Sequence, residues 1–284
     1  MARLLSGKEV VLSLNESMIQ RVEVLRKRGV LPCLAIVRVG ERSDDIAYET
    51  GAVKRCEKAG VAVERFQLPE TASQTELLDV INRVNCDDSI HGCLLFRPLP
   101  MQFDDETVRN ALLSEKDVDG ITDRSLAGVY AGTKQGFPPC TPAACMEILD
   151  YYGIETTGKR AAVIGRSLVV GKPAAMMLIQ RNATVTVCHT KTVDMPAICR
   201  KAEILIVAAG RAGIAGKEYF STGQTVIDVG IHVDENGSLC GDVKFAEAES
   251  IVGAITPVPG GVGTVTTSVL VKHVIEAAER KQRK

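Results

Sequence analysis

The chain contains no tryptophan, and phenylalanine and tyrosine bring the aromatic share to only 4% of its 284 residues. An aromatic-rich interaction surface is therefore not expected. Net charge is nearly absent as well: 34 basic residues stand against 35 acidic ones, giving -1 at pH 7. Without a broad basic field, a nucleic-acid partner is not expected. No apolar run approaches the length of a membrane span, and Ser6, Lys8 and Glu9 interrupt any apolar core of a signal peptide. The nine cysteines are odd in number, and none belongs to a C-x-x-C pair. Cys33, Cys93 and Cys188 fall inside apolar stretches, which reads as small buried hydrophobes in a reducing cytosol rather than disulfides or metal ligands. No metal site is expected, and the expected location is cytoplasmic.

What remains is 45% apolar and 24% charged, ordinary for a soluble globular protein, with length for two domains. Residues 160–173 organise the rest. Arg160-Ala161-Ala162-Val163-Ile164 reads as a buried strand, Gly165-Arg166-Ser167 as a tight turn, and the chain from Gly171 as a helix. A strand feeding a helix through glycine leaves backbone N–H groups aimed at the turn, which suits a phosphate. The fingerprint G-x-G-x-x-G is not met, because Ser167 stands where the second glycine would be and Gly171 comes late.

In chain order, a helix is predicted over 8–28, a strand over 31–39, and a helix over 44–59 stopped by Gly60. A strand over 61–68 follows, then a helix over 74–84 behind Thr71 and Ser73, and a strand over 90–96, continuously apolar and so buried on both faces. Arg97-Pro98-Leu99-Pro100 must leave the sheet. A helix is predicted near 104–114. This βαβαβ alternation predicts a parallel sheet covered by helices. Residues 115–135, with Asp117-Val118-Asp119-Gly120, read as a link. Pro139-Cys140-Thr141-Pro142 starts a helix to Tyr152.

The second half repeats the alternation, with strands over 161–164, 183–188, 204–209 and 225–229, hairpin chemistry over 235–241, and a closing helix over 264–280. The expected fold class is α/β, with an N-terminal parallel-sheet domain (1–140, completed by 264–284) and a C-terminal Rossmann domain (141–263). In doubly wound sheets ligands collect at the carboxyl ends of strands, and Gly165, His189, Gly210 and Gly230 all fall there. His189 reads as structural.

Five motifs, in order, resemble the methylenetetrahydrofolate dehydrogenase/cyclohydrolase family over nearly the whole chain. They are Asp117-Val118-Asp119-Gly120, Pro139-Cys140-Thr141-Pro142, Gly165-Arg166-Ser167 with Val170-Gly171-Lys172-Pro173, Val226-Ile227-Asp228-Val229-Gly230-Ile231, and Thr256-Pro257-Val258-Pro259-Gly260-Gly261-Val262-Gly263. The resemblance implies a folate substrate in one-carbon metabolism, an active cleft between the domains, a last helix returning to the first domain, and a homodimer. It places folate at Tyr48, Asp119, Pro259, Gly260 and Gly261, and the cofactor at Arg166, Ser167, Thr190 and the backbone near Ile231. The residues argue for NADP independently. NAD sites usually carry an acid after the second strand, whereas here that strand ends Cys188-His189-Thr190-Lys191. Arg166, Thr190 and Lys191 offer cations and a hydroxyl to a 2′-phosphate, and Gly165, Gly210 and Gly230 complete the expected cofactor set.

The chain departs from the family at the catalytic face. The resemblance calls for a lysine four residues after the tyrosine and a glutamine ending the third strand; those registers hold Ala52 and Phe96. Lys54 is turned about 200° away along a helix, and Arg97 should point opposite to Phe96. Thr264 replaces a family proline, and Gly210-Arg211-Ala212 a Gly-Arg-Pro turn. Hydride transfer from the methylene carbon is mostly positioning, but hydrolysis of the methenyl product needs proton transfer, for which the lysine suits. Three readings stay open. The leading one is an NADP-dependent methylenetetrahydrofolate dehydrogenase with Tyr48 and Asp119 at the catalytic face and weak or absent cyclohydrolase. The others are the full bifunctional enzyme with a substitute proton-transfer group, and a non-catalytic NADP/folate-binding protein.

Overall fold

The computed structural model describes residues 1–235 and 237–282. The strands are β1 (Arg3–Leu4), β2 (Cys33–Val39), β3 (Ala62–Leu68), β4 (Gly92–Leu95), β5 (Arg160–Ile164), β6 (Thr184–Cys188), β7 (Ile204–Val207), β8 (Thr225–Asp228), β9 (His232–Val233), β10 (Leu239–Cys240) and β11 (Ala254–Ile255). The helices are α1 (Gly7–Lys27), α2 (Ser43–Ala59), α3 (Gln74–Cys86), α4 (Asp105–Ala111), α5 (Asp123–Ala131), α6 (Cys140–Tyr151), α7 (Gly171–Gln180), α8 (Met195–Arg200), α9 (Phe245–Glu249) and α10 (Val262–Lys281). Two compact units result: Ser13–Cys140 with the chain from Thr267 onward, and Met1–Leu12 with Thr141–Thr266.

The first unit is built on a three-stranded parallel sheet in the order β3-β2-β4. β2 is central and almost wholly buried because Leu34, Ala35, Ile36 and Val37 leave neither face polar. Ala35, Val37 and Val39 pack with Leu77 and Ile81 of α3 and Val108 of α4. Ser73 and Glu76 form a reciprocal capping box at the start of α3. Gly60 closes α2 at φ 78, a conformation glycine adopts without a Cβ penalty. Arg38 on β2 and Glu49 on α2 form a buried ion pair, Nε to Oε2 2.9 Å.

The stretch read as a link contains α5. Thr122 caps it through Ser125 N–H (3.1 Å), and Gly132 ends it at φ 68. Ahead of it, the fully buried Asp117 carboxylate accepts from the N–H groups of Ile121 (2.9 Å) and Thr122 (2.8 Å) and the Ser125 hydroxyl (2.6 Å). The helix is only nine residues long, and its start is fixed by a side chain upstream, so apolar periodicity does not announce it.

The second unit carries a six-stranded, wholly parallel sheet in the order β1-β11-β8-β7-β5-β6. β5 has β6 on one side and β7 on the other, so the strand order reverses at its carboxyl end, where such sheets hold ligands. Residues 1–12, expected in the N-terminal domain, belong instead to this unit: β1 pairs with β11, Arg3 opposite Ala254 and Leu4 opposite Ile255. Two residues carry no readable period, so the pairing is decided by contacts far along the chain. The hairpin expected over 235–241 is β9 paired antiparallel with β10; Asn236 within it lies outside the described residues. α10 begins at Val262, two residues before the predicted start.

Candidate active site

In the first unit, α2 presents Tyr48, and its ring meets Phe96 edge-to-face at 5.9 Å and 84°. Phe96 continues the β4 ladder, its N–H donating to Val37 O at 3.0 Å, and is 8% exposed. The Tyr48 hydroxyl faces Thr267, Asp119 and Cys140, and burial with the two acidic neighbours pushes its pKa upward, so it stays a neutral phenol. Tyr48 remains about one-third exposed. Ala52, one turn on along the same helix face, is fully buried. Lys54 is exposed. Arg97 turns to Asp105, Nε to Oδ1 2.6 Å.

Asp119 is half-buried on the loop from Asp117 to α5. Desolvation raises its pKa to about 6, against the thiol and N–H of Cys140, which favour the charged form. Gly120 follows at φ 67, and a Cβ there would lie 2.4 Å from Pro139 N, so the Asp-Gly turn and the Pro-Cys-Thr-Pro segment press together. Cys140 is buried, its thiol donating to Val118 O at 3.3 Å. His273 of α10 backs it, Nδ1 to the same carbonyl at 2.8 Å, and burial lowers the imidazole pKa to about 4. Sequence reading passed over Cys140, Thr267 and His273. The Pro139-Cys140 motif was the available signal for Cys140; α10 residues carried none.

In the second unit, Gly165 follows β5 at φ 121, and a Cβ there would lie 2.1 Å from Ala208 O. A Cβ on Gly171 would meet Gly165 O at 2.2 Å. The glycines are therefore demanded by backbone approach. The Ser167 hydroxyl accepts from the N–H groups of Val170 (3.1 Å) and Gly171 (3.4 Å), fixing the entry to α7. Among the described residues, no hydrogen bond uses the N–H groups of Arg166, Ser167, Leu168 or Val169. Ile164 pairs with Cys188, which sets Arg166 and Thr190 two residues past paired positions of neighbouring strands. Arg166, Thr190 and Lys191 are exposed. His189 closes its own turn, its N–H donating to Thr192 Oγ1 (2.8 Å) and its Nδ1 accepting from Lys191 N–H (3.2 Å).

Gly230, Ile231, Pro259, Gly260 and Gly261 line one cavity of about 220 Å³ in this unit. Its floor is held by Asp228, whose carboxylate accepts from Gly230, Asp242 and Val243 N–H groups, each at 3.0 Å. Burial raises the Asp228 pKa to about 6. The Gly7 N–H donates to Gly260 O at 2.8 Å, tying the start of α1 to this loop. A cradle at Gly165 closed to any Cβ, N–H groups left open at 166–169 and exposed cations beside them fit the phosphates of a dinucleotide.

Comparison with known proteins also finds two parts along the chain, with boundaries that differ from the compact units at residues 5–12 and in α10. Residues 5–119 match the family model "Tetrahydrofolate dehydrogenase/cyclohydrolase, catalytic domain", and residues 139–282 match the "NAD(P)-binding domain" of the same family. A "Bifunctional protein FolD" of Carboxydothermus hydrogenoformans is 49% identical over 281 residues, 98% of each chain. The crystal structure of the bifunctional enzyme FolD from Campylobacter jejuni superposes with a TM-score of 0.96 at 37% identity, covering 99% of this chain and 100% of its own. The Trypanosoma brucei dehydrogenase-cyclohydrolase, complexed with NADP cofactor and inhibitor, does so at 0.92 and 32% identity, covering 100% of this chain and 99% of its own. Matched in both halves and along almost its entire length, the chain belongs to the tetrahydrofolate dehydrogenase/cyclohydrolase family.

Proposed function

We propose that this protein is an NADP-dependent 5,10-methylenetetrahydrofolate dehydrogenase whose methenyltetrahydrofolate cyclohydrolase activity is weak or absent. One observation carries the second half of that reading: the position one turn after Tyr48 is a fully buried alanine, and the ring that packs on Tyr48 is that of the buried Phe96. Bound NADP supplies the hydride acceptor. The chain's own task is to place the methylene carbon, whose flanking folate nitrogens expel the hydride and leave the methenyl cation. Tyr48 offers its partly exposed ring to the folate aromatic system. Asp119 accepts from the pterin N–H groups, and Pro259, Gly260 and Gly261 are further proposed folate contacts. Hydrolysis of the methenyl cation adds water and releases a proton, and neither Ala52 nor Phe96 offers a group to carry it. Following methylenetetrahydrofolate oxidation and methenyl-folate decay in one assay tests the reading; vigorous enzymatic hydrolysis would refute it. The names of the relatives favour a second reading, a full bifunctional enzyme. In that case another group carries the proton. NADP binding without any turnover would instead indicate a non-catalytic binding protein. The proposed assembly is a cytoplasmic homodimer, checked by sedimentation and cell fractionation.

For the cofactor, Arg166, Thr190 and Lys191 take the 2′-phosphate, while the N–H groups at 166–169 take the pyrophosphate. Arg166→Ala should weaken NADP about tenfold and NAD by less than twofold, as expected for one charge-assisted contact. Titration with both cofactors checks this, and equal losses would sink it.

Asp119→Asn should raise the folate dissociation constant by about 1–3 kcal/mol, leaving NADP binding unchanged. Its pH signature has a defined sign. The folded-state pKa of about 6 lies above the ordinary value of 3.8, so the folded chain holds this proton where the unfolded chain has lost it. Stability from this group is full below about pH 4 and is lost as pH rises through about 6. Without ligand, the Asn variant should therefore have the higher Tm at pH 7, with the difference vanishing near pH 4. A lower Tm at pH 7 and normal folate affinity would reduce Asp119 to a turn residue.

A further inference from the structure

The turn after β7 does not hold its N–H groups open. The N–H groups of Ala209 (2.6 Å), Gly210 (3.0 Å) and Arg211 (2.8 Å) all donate to the carboxylate of Asp242. Three successive N–H groups converging on one point form an anion-binding nest, and here the chain's own carboxylate fills it. That carboxylate is wholly buried, and its remaining neighbour is His232, Nε2 to Oδ1 2.7 Å. The Asp242 N–H is in turn held by Asp228, which also holds Gly230. Cβ atoms on Gly230 and Gly241 would lie 2.4 Å from Asp242 N and 1.9 Å from Asp228 Oδ2, so these glycines make room for the carboxylates.

We infer that Asp242, buttressed by His232, is a positioning residue for the dinucleotide: by occupying the nest at 209–211 it removes that turn as a phosphate site and fixes it, with the Gly230 turn, as a rigid wall. The inference rests on the NADP reading above. It has a sharp corollary. With the second nest already filled, the open N–H groups at 166–169 are left as the anion site at the carboxyl ends of these strands. The two turns then divide the work: one binds charge, and the other supplies shape. Asp242 touches neither substrate nor cofactor, so its effect must run through the backbone of 209–211.

The test uses the whole chain with NADPH as probe, read by its own nicotinamide fluorescence. Asp242→Asn places an amide N–H against a backbone N–H and should weaken NADPH about tenfold or more. KM for NADP should rise in step, while kcat at saturating NADP and affinity for tetrahydrofolate change by less than about twofold. Amide exchange at 209–211 should accelerate. His232→Gln, at a side chain 24% exposed, serves if Asp242→Asn does not fold, and should weaken NADPH by about two- to fivefold. NADPH affinity kept within twofold in the folded variants, or equal losses of NADPH and folate affinity, would overturn the inference. A parent chain that binds neither NADPH nor NADH would overturn the functional reading, and this inference with it.

Discussion

Ala52→Lys combined with Phe96→Gln is expected to raise methenyl-folate hydrolysis by about 10²-fold or more over the parent, the scale of a general acid–base contribution. Either change alone should do little. Ala52 is fully buried on α2, one turn from Tyr48, and Phe96 packs its ring edge-to-face against that tyrosine. A lysine inserted beside phenylalanine meets an apolar wall, so its ammonium is desolvated with no neighbour to orient it. Folate binding in Ala52→Lys should weaken for the same reason. Glutamine in place of Phe96 supplies a carbonyl acceptor and relieves the crowding. Burial then works in favour of catalysis by lowering the lysine pKa toward neutrality, where it exchanges protons readily. The dehydrogenase rate should change less, because hydride transfer depends on placement rather than on a proton acceptor. The measurement is decay of methenyl-folate absorbance, corrected for the spontaneous rate, across the parent, both single variants and the double variant. A double variant no faster than the parent would show that the proposed weakness in hydrolysis is not lodged at these two positions.

Gly165→Ala should abolish measurable NADP binding, with a loss of about 3 kcal/mol or more. Two costs coincide at this residue. Its φ of 121 lies where L side chains rarely go, and the new Cβ would stand 2.1 Å from a backbone oxygen that cannot rotate away. Gly210→Ala separates the two. Its φ of 66 carries the conformational cost, but no atom lies within 4 Å of the added Cβ. About 1–2 kcal/mol is expected there, the cost of left-handed backbone alone. NADPH titration and thermal unfolding of both variants give the comparison. If Gly165→Ala binds NADPH as tightly as Gly210→Ala does, the close approach to Ala208 is not what shapes the phosphate turn. Folate binding serves as the control for folding of the whole chain, and should survive in both.

The two experiments probe residues that became legible at different stages. The alternation of apolar strands with helices was readable because burial on both faces forces continuous apolar runs, as in β2, β5 and β7. Gly60 and Ser73 marked helix ends because their backbone and capping chemistry is local. In each case the determining interaction lies within a few residues along the chain. Ala52 and Phe96 were singled out instead by the family resemblance, which sets the registers of its lysine and glutamine.

Other features depend on groups distant in sequence. β1 is two residues long, and its place in the sheet is set by β11, some 250 positions away. α5 is fixed by the Asp117 carboxylate and the Thr122 cap rather than by an apolar face. Asp119 acquires its raised pKa from burial, which outweighs the hydrogen bonds of Cys140, and the Tyr48 hydroxyl meets Thr267 of α10. Asp242 gave no signal in sequence at all, because a buried acid is spelled like a surface one. By itself, the sequence determined the α/β class and the parallel sheets, which follow from local periodicity and backbone sterics, while the departures expected at 52 and 96 came from the family resemblance. Only the tertiary structure decided which carboxylates are buried, which N–H groups are left open and which glycines are required, because desolvation and close approach exist only once distant segments meet.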